Sequence, residues 1–154
     1  MALGKIAFLG TGNMAEALVK GLLRAKVADA KEITCTARRP ERAEELAKRY
    51  GVATTADNAV AAKNADILVL AVKPQAMNKL LDEIAPSIDP NKLVISIAAG
   101  VPIEAIERRL GRGIRIIRTM PNTPALVGAG ATALARGEHA TEADLAQAKA
   151  LFDA

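Results

Sequence analysis

Short apolar runs alternate with stretches of helical periodicity along almost the whole chain. Residues 5–9 form the first apolar run, and Met14, Leu18 and Leu22 then recur at the spacing of one helix face. The run at residues 67–72 is apolar without interruption, which is typical of a central strand that is buried on both faces. The pattern therefore predicts strands and helices in alternation.

The predicted elements define a fold class. Strands are predicted at residues 5–9, 32–36, 51–54, 67–72, 93–97, 114–118 and 131–134. Helices are predicted at residues 13–25 and 40–47, in a short segment ending at 62, at 74–85 and 102–110, and from 141 onwards. Asp57 or Thr55 is expected to cap the third helix, and Thr141 the sixth. Such alternation predicts a doubly wound α/β domain over residues 1–154, with a mainly parallel sheet and helices on both faces.

The composition narrows the classes of protein. Of the 154 residues, 51% are hydrophobic and 2% are aromatic, which suits aliphatic strands with alanine-rich helices. The net charge of +4 suggests an anionic partner. However, Phe8, Tyr50 and Phe152 are too few to build the stacking surfaces that single-stranded nucleic acid uses. We therefore expect no nucleic-acid partner.

The cysteine count and the hydropathy bear on location. Cys35 is the single cysteine, which excludes an internal disulfide framework and fits a reducing compartment. No segment reaches the ~18 uncharged apolar residues of a membrane helix, and the N-terminus has no leader pattern. Cysteine and histidine residues do not cluster at metal-ligand spacing. The sequence thus predicts a cytoplasmic protein without a membrane partner or a bound metal.

A glycine turn follows the first predicted strand. The spacing Gly10-x-Gly12-x-x-Ala15 matches the dinucleotide fingerprint with its permitted final alanine. Gly10 permits a sharp turn, Gly12 has no Cβ to block a pyrophosphate, and Ala15 permits close packing of helix on strand. The helix that follows offers free N–H groups and a positive dipole end to phosphate. Because the motif lies between a strand and an amphipathic helix, it predicts a Rossmann-like, dinucleotide-binding fold.

The residues after the second predicted strand indicate which nucleotide is bound. NAD-preferring domains place a carboxylate there for the ribose diol. Glu32 begins this strand instead of ending it, and the strand is followed by Arg38 and Arg39 without a carboxylate. Guanidinium groups suit a 2′-phosphate. The sequence therefore predicts that NADP(H) is preferred and NAD(H) is a possible substitute, the alternative being a pair of solvated arginines.

Three further strand ends carry unusual sequences, and ligands of open α/β sheets lie at the carboxyl ends of strands. After the fourth strand, Pro74 and small residues are expected to form a wall against the nicotinamide ribose, with Lys73 near phosphate or ribose oxygens. The small residues 98–100 leave space for a ring. Two prolines in residues 120–124 stiffen a turn with an amide and a hydroxyl, which we expect at the substrate edge. The alternatives are a solvated lysine and an ordinary proline-rich loop.

The chain shows no pair of residues suited to acid–base or nucleophilic catalysis. His139 lies in a late polar loop, Ser87 and Ser96 have no histidine partner, and Cys35 is expected to be a small buried apolar residue. Hydride chemistry belongs to the cofactor, which the protein mainly orients. An electrophile that arrives already protonated, such as an iminium ion, makes the smallest demand on side chains.

Four segments, in order along the chain, resemble those of pyrroline-5-carboxylate reductases. They are FLGTGNM at residues 8–14, AVKPQ at 71–75, SIAAGV at 96–101 and RTMPNTPA at 118–125. The second and the fourth are far more distinctive than the glycine motif. The resemblance implies hydride transfer from NAD(P)H to the C=N carbon of 1-pyrroline-5-carboxylate, which gives L-proline in proline biosynthesis.

The strand ends and the resemblance together define two sets of residues. The residues expected to bind the cofactor are Leu9, Gly10, Thr11, Gly12, Asn13, Met14, Arg38, Arg39, Asn58, Ala71, Val72, Lys73 and Pro74. The residues expected on the substrate side are Ala99, Gly100, Met120, Pro121, Asn122 and Thr123. Asn58 belongs to the first set through the resemblance alone. A catalytic acid or base stays unassigned.

The reductases that the chain resembles have a second, helical C-terminal domain, which forms the dimer and completes the substrate pocket. We expect residues 1–154 to be the cofactor-binding domain without that second domain. Its small-molecule turnover and its homo-oligomer formation are then expected to be weak or lost. Two alternatives stay open, namely a non-catalytic NADP-binding module and a related imine reductase or β-hydroxyacid dehydrogenase.

Overall fold

Strands and helices alternate in the computed structural model, which describes residues 3–111, 113–121 and 132–153. The strands are β1 Ile6–Leu9, β2 Ile33–Thr36, β3 Ala53–Thr55, β4 Ile67–Leu70, β5 Leu93–Ser96, β6 Arg115–Pro121 and β7 Thr132–Arg136. The α-helices are α1 Asn13–Arg24, α2 Pro40–Tyr50, α3 Asn58–Asn64, α4 Met77–Ile84, α5 Ile103–Leu110 and α6 Glu142–Asp153. Every predicted strand and helix is present, with ends that shift by a few residues.

The strands form one sheet in the order β3-β2-β1-β4-β5-β6-β7. Neighbours from β3 to β6 pair in parallel, and β7 pairs antiparallel with β6. The chain moves outwards from β1 to β3, then crosses to β4 on the other side of β1. Such a change of direction opens a crevice at the carboxyl ends of the central strands. The predicted fold class, a doubly wound and mainly parallel α/β sheet, is confirmed.

Helices cover both faces of the sheet, and each face has its own apolar core. On β1, Ile6 and Phe8 belong to one core and Ala7 and Leu9 to the other, because successive side chains of a strand point to opposite faces. The first core is completed from α1, α2 and α6, and the second from α3, α4 and α5. All four β1 side chains are buried, which explains why this strand has an apolar run instead of an alternating pattern.

Several element ends differ from the predictions for reasons of backbone chemistry. The predicted helix at 74–85 is α4 with a 3-10 turn on either side, Pro74–Ala76 before it and Ala85–Ser87 after it. Pro86 has no N–H to continue the α-helical ladder. β3 starts at Ala53 and not at 51, because Gly51 ends α2 in the left-handed conformation with φ 73°. β4 ends at Leu70, so residues 71 and 72 lie beyond the sheet.

Side-chain caps set the starts of α3 and α6. The Oδ1 atom of Asp57 accepts a hydrogen bond from the Val60 N–H at 3.1 Å, so Asp57 and not Thr55 caps α3. At α6, the Thr141 hydroxyl accepts from the Asp144 N–H at 3.1 Å, and the Asp144 carboxylate accepts from the Thr141 N–H at 2.9 Å. This reciprocal pair confirms the predicted capped start. Within the part of the chain that the structure describes, no helix is long and apolar enough to cross a membrane.

Candidate functional site

The glycine turn between β1 and α1 has the geometry that its sequence predicts. Gly10 has φ +96°, and a Cβ there would lie 2.8 Å from Val72 Cγ1 and 3.0 Å from the carbonyl atoms of Ala71. A side chain at this position would therefore be strained and would clash with the chain beyond β4. Gly12 is different, because a Cβ there would meet nothing within 4 Å. Its missing side chain leaves open space beside the turn, as close approach of a ligand requires.

The first turn of α1 has free donors beside that open space. Gly12 is the N-cap residue and provides no side-chain cap. The first intrahelical bond runs from the Glu16 N–H to the Gly12 carbonyl at 3.1 Å. The earlier N–H groups of a helix have no intrahelical acceptor, and the helix dipole favours an anion near them. This helix start is therefore suited to a phosphate.

Thr36, at the end of β2, holds the turn in place. Its hydroxyl Oγ1 accepts a hydrogen bond from the Gly10 N–H at 2.9 Å. Its carbonyl accepts one from the Thr11 hydroxyl at 3.0 Å. Thr36 is buried and both hydrogen bonds are partly buried, so these bonds are partly shielded from water. Sequence analysis did not single out Thr36; the signal that could have found it is a hydroxyl residue at the carboxyl end of the strand next to β1.

A cluster of four side chains, the Glu16 cluster (Glu16, Arg42, Arg49 and Tyr50), joins α1 to α2 behind the turn. The Glu16 carboxylate accepts from Arg42 at 2.7 Å, from Arg49 at 2.9 Å and from the Tyr50 hydroxyl at 2.7 Å. Burial raises the pKa of the Glu16 carboxyl, but hydrogen bonds from Tyr50 and Arg42 and the charge of Arg42 outweigh it. The pKa therefore lies below its usual value of 4.5. Glu16 is thus held in its ionised form.

A cavity of about 570 Å³ lies at the carboxyl ends of β1, β2 and β4. Predicted cofactor residues among its lining are Gly10, Thr11, Gly12, Arg38, Arg39, Asn58, Ala71, Val72 and Lys73. Lining residues that sequence analysis did not name are Thr36, Ala37, Arg42, Ala56, Gln75, Ala76, Lys79, Leu80 and Glu83. The cavity therefore brings together the glycine turn, the arginines after β2 and the segment after β4, at the point where the strand order changes direction.

Four residues of the predicted cofactor set are not among those that line the cavity. Leu9 is fully buried in the sheet, and Met14 packs against the first apolar core. Asn13 starts α1 on its exposed side, and Pro74 starts the 3-10 turn before α4. In this structure, these four residues do not contribute to the lining of the cavity.

Positive charge dominates the lining of the cavity. Its cationic side chains are Arg38, Arg39, Arg42, Lys73 and Lys79, and its one carboxylate is Glu83. Such a lining favours an anionic ligand.

Two acidic residues, Glu83 in the cavity lining and Glu32 just before β2, accept hydrogen bonds from other residues. The Glu83 carboxylate accepts a hydrogen bond from the Asn58 amide nitrogen at 3.3 Å. Glu32 ends the 3-10 turn Ala30–Glu32, where its carboxylate accepts from the Asp29 N–H at 3.2 Å. Glu32 does not line the cavity. Its position at the far end of β2 is therefore as the sequence predicted.

The predicted substrate-side residues follow β5 and β6. Ala99 and Gly100 are exposed beyond the end of β5, and Gly100 has φ +75° with nothing within 4 Å of an added Cβ. The backbone of Met120 and Pro121 forms the end of β6 and pairs with β7, so these two residues belong to the strand and not to the turn that was predicted for residues 120–124. Asn122 and Thr123 lie outside the described residues.

The residues considered for nucleophilic or acid–base chemistry lie apart from the cavity. Cys35 is fully buried in β2, and burial raises the pKa of its thiol to about 12, as expected for a small apolar residue. Ser96 is buried, and its hydroxyl accepts from the Ala98 N–H at 3.3 Å. Ser87 ends a 3-10 turn, and His139 is exposed in a turn after β7. None of them contributes to the cavity lining.

A glycine turn, an uncapped helix start and a basic cavity at the change of strand order define a class of protein, the dinucleotide-binding α/β domains. The comparison with protein families gives the particular family. Residues 5–100 match the model described as "NADP oxidoreductase coenzyme F420-dependent", and the chain belongs to this family.

Individual relatives have a more specific name, pyrroline-5-carboxylate reductase. A pyrroline-5-carboxylate reductase of Methanosarcina acetivorans is 39% identical over 150 residues, which cover 97% of this chain and 56% of the relative. The structure of a pyrroline-5-carboxylate reductase from Coxiella burnetii has a TM-score of 0.92 at 38% identity, covering 98% of this chain and 56% of that one. The Plasmodium falciparum enzyme, solved with NADP bound, has a TM-score of 0.87 at 29% identity, covering 99% and 55%.

The comparisons confirm the resemblance that the sequence motifs indicated. They also give the extent of the match, since the chain spans about half the length of the curated relatives. Prephenate dehydrogenase from Aquifex aeolicus shares the fold at a TM-score of 0.83 but is 13% identical. It is similar in fold alone.

Proposed function

We propose that this chain is the cofactor-binding part of an enzyme that reduces 1-pyrroline-5-carboxylate to L-proline with NADPH. The observation that supports the cofactor is the segment after β2. Arg38 and Arg39 line the cavity there, and no carboxylate takes the place where a ribose diol would need one. The relatives named pyrroline-5-carboxylate reductases support the substrate.

The lining residues provide a partner for each polar part of a dinucleotide. The free N–H groups at Gly12 and the start of α1 would bind the pyrophosphate. Arg38 and Arg39 would donate to the 2′-phosphate. Asn58 and the segment from Ala71 to Lys73 would line the two riboses. Bound there, NADPH supplies a hydride.

Hydride transfer makes the smallest demand on the protein when the electrophile carries its own proton, because no side chain then has to donate one. A cyclic imine binds in its protonated form and becomes an amine when a hydride reaches its carbon. The protein then has to orient two rings and exclude water. We assign the substrate edge to the loop after β5, to the end of β6 and to the residues that follow β6 in the sequence, namely Ala99, Gly100, Met120, Pro121, Asn122 and Thr123.

The experiment that tests this function measures proline directly. The chain is purified alone and as a fusion to the remaining part of the Methanosarcina relative, which supplies the length that this chain does not span. Each protein is incubated with NADPH and pyrroline-5-carboxylate, and L-proline is quantified by mass spectrometry. We expect proline from the fusion. We expect its loss in the fusion that carries Gly12→Val, because a branched side chain fills the open space at the turn.

Two outcomes would contradict the proposal. A fusion that binds NADPH but oxidises a β-hydroxyacid with NADP⁺, and makes no proline, would support a hydroxyacid dehydrogenase. A fusion that binds NADPH and catalyses neither reaction would support a non-catalytic binding module.

A further inference from the structure

Arg42 makes an unusual contact with the glycine turn. Its Nε and Nη2 atoms both donate to the carbonyl oxygen of Thr11, each at 3.2 Å. Arg42 belongs to α2, and Thr11 lies 31 positions earlier, at the centre of the turn. The residue also lines the cavity. One guanidinium group therefore connects the second helix to the backbone of the turn.

This contact fixes more than one backbone group. The peptide unit that begins with the Thr11 carbonyl ends with the Gly12 N–H. In a planar trans peptide, the carbonyl and the N–H point in opposite directions. Glycine permits rotation that other residues resist. A hydrogen bond to the Thr11 carbonyl therefore also holds the direction of the Gly12 N–H.

Arg42 is itself held on several sides. Its Nη2 atom lies 2.7 Å from Glu16 Oε1, and its Nη1 atom donates to Glu45 Oε1 at 3.1 Å. Glu16 is fixed in turn by Arg49 and Tyr50. The Arg42 side chain is 23% exposed, so the group is partly shielded from water. The contact to Thr11 is thus in place before a ligand arrives.

Arg42 differs from the other arginines of the cavity in the charges that surround it. Two carboxylates, from Glu16 and Glu45, neutralise Arg42. Arg38 and Arg39 are exposed and make no ion pair with another described residue. Free cations are better placed to bind a phosphate, whereas a neutralised guanidinium is better suited to hold a backbone group.

We infer that Arg42 is a positioning residue of the cofactor site, which acts through the Thr11 carbonyl to set the direction of the Gly12 N–H for the pyrophosphate. The inference rests on the proposed function, since it assigns a role within the same nucleotide site. The pyrophosphate is common to NADPH and NADH, so the loss of Arg42 should affect both nucleotides alike.

Titration calorimetry of NADPH and NADH into the chain and three variants tests this role. In Arg42→Gln, we expect both affinities to fall by the same factor, about tenfold, as for a lost hydrogen bond to a charged group. Arg42→Lys should not restore them, because an ammonium group lacks the planar fork that reaches Thr11 and both carboxylates. Arg49→Gln is the matched control, because Arg49 is half exposed and does not touch Thr11, and Glu16 keeps its contacts with Arg42 and Tyr50 in this variant. It should leave both affinities within about twofold.

A second readout needs no nucleotide. In the ligand-free chain, amide exchange at Gly12 should be faster in Arg42→Gln than in Arg49→Gln. Loss of NADPH affinity alone would show that Arg42 binds the 2′-phosphate and would overturn the inference. Recovery in Arg42→Lys, or an equal loss in Arg49→Gln, would also overturn it. By contrast, an unmodified chain that binds neither nucleotide would refute the proposed function, whatever the variants do.

Discussion

At the residue scale, Thr36 connects the sheet to the cofactor site. It lies in register with Thr55 of β3, while its hydroxyl and carbonyl oxygens hold Gly10 and Thr11. The Thr36 hydroxyl is the hydrogen-bond acceptor for the Gly10 N–H. Removal of the hydroxyl would leave that N–H without an acceptor in a partly buried position, which costs more than the hydrogen bond itself contributes.

The variant Thr36→Val tests this role, because valine has nearly the shape of threonine but offers no acceptor. We expect the free energy of unfolding in urea to fall by about 1–3 kcal/mol. Thr34→Val, two residues earlier in β2 and away from the turn, is the control and should change it by less than about 0.5 kcal/mol. Equal effects of the two substitutions would show that the hydroxyl of Thr36 has no special role.

The sequence predicted some residues of the site and missed others for one physical reason. Some roles depend only on local spacing and on the nearest strand end, and the sequence alone predicts them. These are the roles of Gly10, Gly12, Arg38 and Arg39. Contacts such as those of Thr36 with Gly10 and of Arg42 with Thr11 join residues 26 and 31 positions apart. Such contacts depend on how neighbouring elements pack, which spacing along the chain does not reveal.

At the element scale, the Glu16 cluster couples α1 to α2. A carboxyl group whose pKa is lower in the folded chain than in the unfolded chain stabilises the fold at pH values above its unfolded pKa. That contribution is lost as the pH falls through the folded pKa. For Glu16, the loss lies below about pH 4.5, its usual value.

Glu16→Gln should therefore lower the free energy of unfolding at neutral pH by roughly 1–3 kcal/mol, because the hydrogen bonds to a charged acceptor are lost. The difference from the unmodified chain should shrink as the pH falls below 4.5, where Glu16 becomes protonated. Chemical denaturation across this pH range measures the difference. Glu44→Gln is the control, since that exposed carboxylate pairs with Lys48 on the surface and contributes little. A difference that stays constant with pH would contradict the account of Glu16.

Most elements were predictable because their apolar periodicity and their capping residues indicate the same type of element. The unbroken run of β4 and the Thr141 cap of α6 each point to one structure. The direction of β7 was not predictable, because the residue pattern of neither β6 nor β7 shows whether the two strands run parallel or antiparallel. The helix predicted at 74–85 has a 3-10 turn before and after α4. Apolar periodicity did not reveal this division, because a proline sets where the α-helical ladder ends.

At the scale of the whole molecule, one sheet carries the basic cavity on the side where the strand order changes, and the residues that we assign to the substrate edge follow the cavity strands at the ends of β5 and β6. The chain spans about half the length of its curated relatives. Cofactor binding is therefore the property that this chain can be tested for directly. Its basic cavity is expected to bind NADP(H) in preference to NAD(H).

Titration calorimetry of NADPH and of NADH into the unmodified chain and into the double variant Arg38→Ala with Arg39→Ala measures this preference. We expect tighter binding of NADPH by the unmodified chain. In the double variant, the ratio of the two dissociation constants should fall by about tenfold or more, because the 2′-phosphate loses its charged donors. Arg24→Ala, at the exposed end of α1, should leave the gap unchanged. Equal binding of both nucleotides by the unmodified chain would contradict the expected preference for NADP(H).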